Sequence, residues 1–262
     1  MKLDDVKLIG VIGGGLMGSG IVQNIILSGY KTICRDLTDE IIKNTRNIII
    51  GSRFGLRTGV QRGKITQEQM EQALANLTLT TKVEDLKNCD IVIESIGGGD
   101  SSRLEDKGLK MRAFAELDKI VKKEAIFATN TSFFTIADLA KAVQRKDRFI
   151  GMHWFRPPSI LKAIELTYTQ DNSEEVIQTM EGFCKRLGKT SVRVKDVPGD
   201  TGFIGNRIWM QVAREARKIV EEGIASPEDI DTVMKLGYGF TLGPFEMGAE
   251  TRDPRQRSGQ SP

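Results

Sequence analysis

Residues 6–36 read VKLIGVIGGGLMGSGIVQNIILSGYKTICRD, and that stretch decides the fold. Val6, Leu8, Ile9, Val11 and Ile12 form a short, largely β-branched apolar run, which predicts a buried strand. Gly13, Gly15 and Gly18 follow in G-x-G-x-x-G spacing. The first allows a tight turn, the second lets the backbone approach a pyrophosphate, and the third removes a side chain where helix meets strand. Leu16 and Met17 then open a helix that runs to Ser28, with Met17, Ile21, Ile25 and Ile26 at helical spacing and Gly29 as its stop. Its free N–H groups would face the phosphates. A second strand, Lys31 to Arg35, ends on Asp36, where a carboxylate can accept from an adenine ribose hydroxyl and repel a 2′-phosphate. The whole unit predicts a dinucleotide site that prefers NAD to NADP; Arg35 tempers the preference, since arginine can pair with a 2′-phosphate.

Outward from this unit, helices are expected over 38–54 and from Thr66 to Leu74, the second opened by a Thr66–Gln69 capping box. Between them, Gly55 to Lys64 is rich in glycine and arginine. It is either a solvated helical hairpin or a flap whose Arg57, Arg62 and Lys64 meet an anionic substrate. DIVIE, residues 90–94, predicts a strand feeding the cofactor crevice, followed by the glycine-rich 96–103. A helix over 109–121, a strand over 125–129 and a helix over 135–143 come next. Strands follow at Phe149–Trp154 and Ile160–Thr169, separated by a stiff turn at Pro157 and Pro158. A helix over 174–187 and a strand over 190–194 close the α/β part.

From residue 203 onward the pattern is helical only, over 204–222, from Ser226–Pro227 to Lys235, and again after GPFE. The expected organisation is a Rossmann-type, mostly parallel α/β domain over 1–199, an all-helical second domain over 200–250, and a disordered polar tail over 251–262.

Bulk properties narrow the class. The 262 residues can bury a sizeable core, and 39% hydrophobic with 28% charged residues is an ordinary folded composition. Thirty-eight basic against 35 acidic side chains leave +3, too little to imply nucleic acid as a partner. Cys34, Cys89 and Cys184 are odd in number and widely spaced, which reads as reduced thiols of a cytoplasmic protein. No apolar run reaches the roughly 18 residues of a membrane span, and no signal segment precedes the first strand. With a single histidine no histidine metal cluster can form, so no metal site is expected.

That histidine, His153, ends a predicted strand. Hydride transfer from an alcohol to nicotinamide needs a base for the hydroxyl proton, and imidazole titrates near neutrality. Glu165 lies 12 residues on, across the proline turn, where it can bind the other ring nitrogen and offset the charge the imidazole gains. The rival readings are a structural histidine and a solvated strand glutamate. An active site is expected where the α/β and helical domains meet.

VIGGGLMGSGI, DIVIES, ATNTS, RFIGMHWFRPP, GFIGNR and EEGIASPEDIDTVMKLGYGFTLGPFE occur in that order. Together they resemble the L-3-hydroxyacyl-CoA (3-hydroxybutyryl-CoA) dehydrogenase family over roughly Val6 to Gly248. The resemblance implies reversible NAD-dependent oxidation of (S)-3-hydroxyacyl-CoA thioesters, as in fatty acid β-oxidation. It matches His153 to the catalytic base, Glu165 to its partner carboxylate, and Ser132 and Asn206 to residues that hold the substrate oxygens. Asn130, Glu105 and Lys110 match cofactor-side residues, and a homodimer is implied. Four departures stand out. Arg156 replaces the usual asparagine of HWFNP, and could bind a carboxylate of the substrate. Phe133 and Phe134 follow Ser132 where a second serine is usual. GGGDSSRL enlarges the loop after Glu94, and VPGDTGFIGNR has about three extra residues ahead of Asn206. The resemblance stops near Gly248, from which a weaker dimer is expected. Alternatives are a dehydrogenase of another hydroxy acid or alcohol, or a catalytically weak NAD-binding protein.

Overall fold

β1 (Leu8–Ile12) is buried along four of its five residues, as an interior strand of a covered parallel sheet must be. A computed structural model of the chain describes residues 1–97 and 105–251. After β1 come α1 (Leu16–Leu27), β2 (Lys31–Arg35), α2 (Asp39–Gly51), α3 (Leu56–Gln61), α4 (Gln67–Ala75), β3 (Leu77–Thr80), β4 (Ile91–Glu94), α5 (Lys107–Ile120) and β5 (Ile126–Thr129). Then follow α6 (Ile136–Leu139), β6 (Phe149–Trp154), β7 (Ala163–Tyr168), α7 (Glu174–Arg186), β8 (Thr190–Lys195), α8 (Ile204–Glu221), α9 (Pro227–Tyr238) and α10 (Pro244–Thr251).

The eight strands form one sheet in the order β3-β2-β1-β4-β5-β6-β7-β8. Every neighbouring pair is parallel except β6 and β7. The strand order reverses between β1 and β4, and the crevice at such a switch point is where open α/β sheets hold ligands. The β6–β7 exception follows from chain length: residues 155–162 are too few for a crossover, so the chain returns as an antiparallel hairpin.

Alternation along the strands divides the core in two. Ile9, Val11, Ile91, Ile93, Ile150 and Met152 belong to one cluster; Val92, Phe127 and Phe149 belong to the other, with Phe114 and Leu117 of α5. Two-residue periodicity puts Glu94, Thr129 and His153 on the same face as that second cluster. Cross-strand register then sets Glu94 beside Thr129, and His153 opposite Glu165. Apolar strands thus finish in polar side chains at one edge of one face.

Local signals account for most boundaries. Thr38, Thr66, Asp106, Ser173 and Ser226 each cap a helix with a side-chain oxygen, and the Thr66–Gln69 box forms. Two expectations are corrected. The second strand of the hairpin begins at Ala163 and not at 160, because the Pro157 carbonyl takes the N–H groups of Ile160 and Leu161 into a turn. The expected helix over 135–143 shortens to α6 and a 3₁₀ turn at Ala140–Ala142. The glycine-rich stretch from 55 contains α3, anchored by the fully buried Leu56, in keeping with the helical hairpin. β3 escapes the sequence reading: four residues alternating Leu and Thr carry little signal.

The chain divides into two compact units, Met1–Phe203 and Ile204 onward. The boundary falls four residues beyond the expected 199, because Phe203 is buried in the α5-side core. In the second unit the Asp231 carboxylate accepts from Phe245 and Glu246 N–H and so caps α10, while Gly239, at φ 73°, ends α9. Residue 251 closes α10; the rest of the expected tail, 252–262, and most of the glycine-rich insertion, 98–104, lie outside the described residues.

Candidate active site

The glycine turn between β1 and α1 has the geometry its spacing predicts. Gly13 sits at φ +92°, and a Cβ there would lie 2.5 Å from the Ser95 carbonyl oxygen of the loop after β4. A Cβ on Gly18 would lie 1.7 Å from the Gly13 oxygen. Around Gly15 a Cβ would meet nothing within 4 Å, so the one glycine expected to face a pyrophosphate is the one with open space beside it. Gly15 is also the N-cap of α1, with no side-chain cap and no acidic residue in the first turn. That leaves the helix's positive end open to an anion. Leu16 is exposed and Met17 half-buried at the same turn.

Asp36 accepts from the Gly14 N–H at 2.6 Å and from Leu37 N–H at 2.7 Å, which fixes its carboxylate against the turn. Arg35 Nε donates to the Thr81 carbonyl at 3.3 Å, so its guanidinium is committed to the loop after β3. The residues present therefore fit a dinucleotide with a free ribose 2′-hydroxyl.

At the ends of β4 and β5 lies a buried polar network. Lys110 Nζ, reaching back from α5, is 2.6 Å from Glu94 Oε1 and 3.5 Å from Glu105 Oε2, with the Lys110 and Glu94 side chains only 2% and 0% exposed. Thr129 donates to Glu94 Oε2 at 2.6 Å, and Lys110 to the Ile96 carbonyl at 2.9 Å. Glu105 accepts from the Thr131 hydroxyl at 2.5 Å and from Ser132 N–H at 2.7 Å. Asn130 accepts from Trp154 N–H at 2.8 Å and donates to the Ser95 hydroxyl at 3.3 Å, tying the β5, β6 and β4 ends together. Sequence reasoning named Glu105, Lys110, Asn130, Thr131 and Ser132 but missed Glu94 and Thr129. The available signal was an acid closing an otherwise apolar strand.

His153 Nδ1 stands 2.6 Å from Glu165 Oε2, with both side chains buried. A carboxylate there accepts a hydrogen bond from Nδ1–H and leaves the Nε2 lone pair for a substrate hydroxyl. Phe155 and Phe203 flank the imidazole with ring centroids at 4.9 and 5.8 Å, which keeps bulk water from the pair. The glutamate is not the solvated strand residue of the rival reading.

The turn after β6 is held from below. Lys189 Nζ donates to the Pro158 and Leu161 carbonyls at 2.6 and 2.8 Å, and Asn24 of α1 donates to the Pro158 carbonyl at 3.1 Å. Burial, with a contribution from the Lys162 charge, lowers the Lys189 pKa to about 8. Arg156, on this turn, is exposed. The segment leading toward the helical unit is pinned as well: Asp196 accepts from the Ile136 and Ala137 N–H groups, and Asp200 from Thr135 N–H and Lys107. Asn206 belongs to the first turn of α8, in the second unit. Arg57 lines a shallow cavity of about 490 Å³ with Arg46 at the end of α2, while Arg62 and Lys64 are exposed. Among the described residues no group of three or more His, Cys, Asp or Glu side chains is placed to hold a metal ion.

Comparison with known proteins adds an independent line. Residues 8–197 match the family model of the 3-hydroxyacyl-CoA dehydrogenase NAD-binding domain, and 202–252 match that of the 3-hydroxyacyl-CoA dehydrogenase C-terminal domain. The mitochondrial hydroxyacyl-coenzyme A dehydrogenase of Rattus norvegicus is 38% identical over 245 residues, covering 92% of this chain and 75% of that one. A 3-hydroxybutyryl-CoA dehydrogenase of Clostridioides difficile is 34% identical over 240 residues, covering 92% and 81%. The crystal structure of an (S)-3-hydroxybutyryl-CoA dehydrogenase from Ralstonia eutropha superposes with a TM-score of 0.84 at 34% identity, over 92% of this chain and 80% of that one.

Proposed function

The chain belongs to the 3-hydroxyacyl-CoA dehydrogenase family, and on that premise we infer that His153 and Glu165 serve as the proton-accepting pair in its NAD-dependent oxidation of 3-hydroxyacyl-CoA thioesters. One observation carries the reading: the buried 2.6 Å contact between Nδ1 and a carboxylate, at the end of a sheet whose switch point carries an open glycine turn.

Bound NAD supplies the hydride acceptor; the chain handles the proton and the charge. Nε2 of His153 takes the proton of the 3-hydroxyl as the carbon gives up its hydride. Glu165 keeps the ring in the correct tautomer and offsets the positive charge it gains. In the reverse direction the imidazolium returns the proton to a 3-oxoacyl thioester. Ser132, whose backbone Glu105 holds, orients the substrate oxygen, and the family resemblance gives Asn206 the same task. Gly13, Gly15, Gly18, Leu16 and Met17 form the pyrophosphate cradle. Asp36 takes the adenine ribose, and Asn130, Glu105 and Lys110 line the nicotinamide side.

The decisive experiment is an NADH-linked assay with acetoacetyl-CoA and 3-hydroxybutyryl-CoA on the parent and on His153→Ala. The variant should bind NAD with near-parental affinity yet lose roughly 10²–10⁴ in turnover. Normal turnover would refute the assignment. Arg156 supports a second reading, in which a substrate carboxylate is bound, because its cation is exposed three residues after the base. Arg156→Asn should then depress activity on free 3-hydroxy acids and leave thioester activity intact.

A homodimer accords with the exposed apolar side chains of α8 and α9, among them Ile208, Val233 and Leu236. A cytoplasmic location accords with three buried, unpaired thiols.

A further inference from the structure

The Glu94–Lys110–Glu105 network is larger than proton transfer at His153 requires. Two carboxylates share one ammonium, and a lysine side chain 2% exposed is held between a strand end and a loop. Glu94 is the member that nothing above assigns a task. It makes three contacts of 2.6 Å or less, to Lys110 Nζ, to the Thr129 hydroxyl and to Ile96 N–H, so its charge is fixed in place. Glu94 closes β4, the strand beside the switch point, and the loop it holds abuts Gly13. A charge there acts on whatever occupies the crevice through a medium less screening than water.

We propose that Glu94 positions Lys110 and, together with Glu105, gives the β4–β5 end of the crevice a net charge of −1 that favours the oxidised nicotinamide cofactor over the reduced one. The inference rests on the reading that this crevice binds NAD. Its chemical basis is simple: the oxidised nicotinamide ring carries a positive charge and the reduced ring does not. The adenosine and pyrophosphate are identical in the two forms, so contacts to them cancel in the ratio of their affinities. Glu94→Gln keeps the size and most hydrogen bonds and brings the cluster to neutrality. Lys110→Met removes the ammonium and takes it to −2.

The test is titration of the parent and both variants with NAD⁺ by calorimetry and with NADH by its fluorescence, read as Kd(NADH)/Kd(NAD⁺). That ratio should fall roughly tenfold in Glu94→Gln and rise in Lys110→Met, the scale of one unit charge acting through a partly screened medium. Structural damage alone would weaken both forms together and leave the ratio unmoved. An unchanged ratio in Glu94→Gln, or a shift in the same direction for both variants, overturns the proposal. Should Glu94→Gln fail to fold by circular dichroism, Glu105→Gln carries the same arithmetic at a more exposed side chain, and its unchanged ratio would count equally. A parent that binds neither form ends the cofactor reading along with the proposal, whereas a parent that binds both with a ratio insensitive to these charges ends the proposal alone.

Discussion

At the scale of single residues, the glycine turn separates two roles that the motif lumps together. Gly18 serves the fold, because a methyl group there would overlap the Gly13 carbonyl at 1.7 Å, an atom of the backbone that cannot turn aside. Gly18→Ala should therefore cost about 1–3 kcal/mol in urea unfolding, the range for overpacking a tight contact. Gly15 serves the ligand, since its side is open. Gly15→Ala should lose less than about 1 kcal/mol, as a poorer N-cap, yet weaken NAD binding by roughly tenfold or more. Equal losses of stability in the two variants would contradict the division. Glu165→Gln bears on the other end of the site. Its amide can still accept from Nδ1 but cannot balance an imidazolium, so kcat should fall by about 10²–10⁴ while KM stays within a few-fold. A fall in KM affinity with unchanged kcat would instead make Glu165 a binding residue.

At the scale of elements, the hairpin joining β6 and β7 decides whether two residues 12 apart become a pair. Its antiparallel register sets His153 opposite Glu165, and that register depends on the turn that Lys189 and Asn24 hold through the Pro158 carbonyl. Lys189→Met would leave the Leu161 carbonyl without its donor and the Pro158 carbonyl with Asn24 alone, while sparing the cost of burying a charge. The expected net loss is about 1–3 kcal/mol by thermal or urea unfolding, with a drop in kcat from a looser turn. Unchanged stability would mean that the turn stands without the lysine. Much of this level was legible in the chain itself. The glycine spacing, the capping residues Thr38, Thr66 and Ser226, and the proline turn are local signals, and each element they mark forms, with the strand after the proline turn starting three residues late. What escaped was set by long-range pairing. β3 is a strand because β2 offers it an edge, not because LTLT insists on it. Glu94 and Thr129 are polar partners only because parallel register sets β4 and β5 side by side. Lys189 follows α7, far in sequence from the turn it holds, so no window of sequence links them.

At the scale of the whole molecule, buried ionisable groups fix how stability depends on pH. Cys34 and Cys184 lie in the core on one face of the sheet and Cys89 in the core on the other, so only unfolding of the α/β unit exposes all three. Burial pushes each thiol up from 9.0 to about 12, with nearby carboxylates adding to the effect. A raised pKa in the folded state means that the unfolded chain releases these protons first, so stability is complete below pH 9 and drains away between 9 and 12. Lys189 works in the opposite sense. Its folded value of about 8 lies below its ordinary 10.5, so its contribution grows as pH rises through that interval. Each group changes the slope by about 1.36 kcal/mol per pH unit. Three thiols against one lysine leave a net fall of roughly 3 kcal/mol per unit between pH 9 and 10.5, steepening to roughly 4 above it. Urea unfolding at pH 8.5, 9.5 and 10.5 under a reductant should show this decline in the midpoint at constant m-value. The variant carrying Cys34→Ala, Cys89→Ala and Cys184→Ala should start less stable, for want of three buried sulfurs, but its stability should rise over the same interval as Lys189 alone acts. An alkaline decline that persists undiminished in that variant would show that the thiols are not its source, and that the charge balance of the surface is.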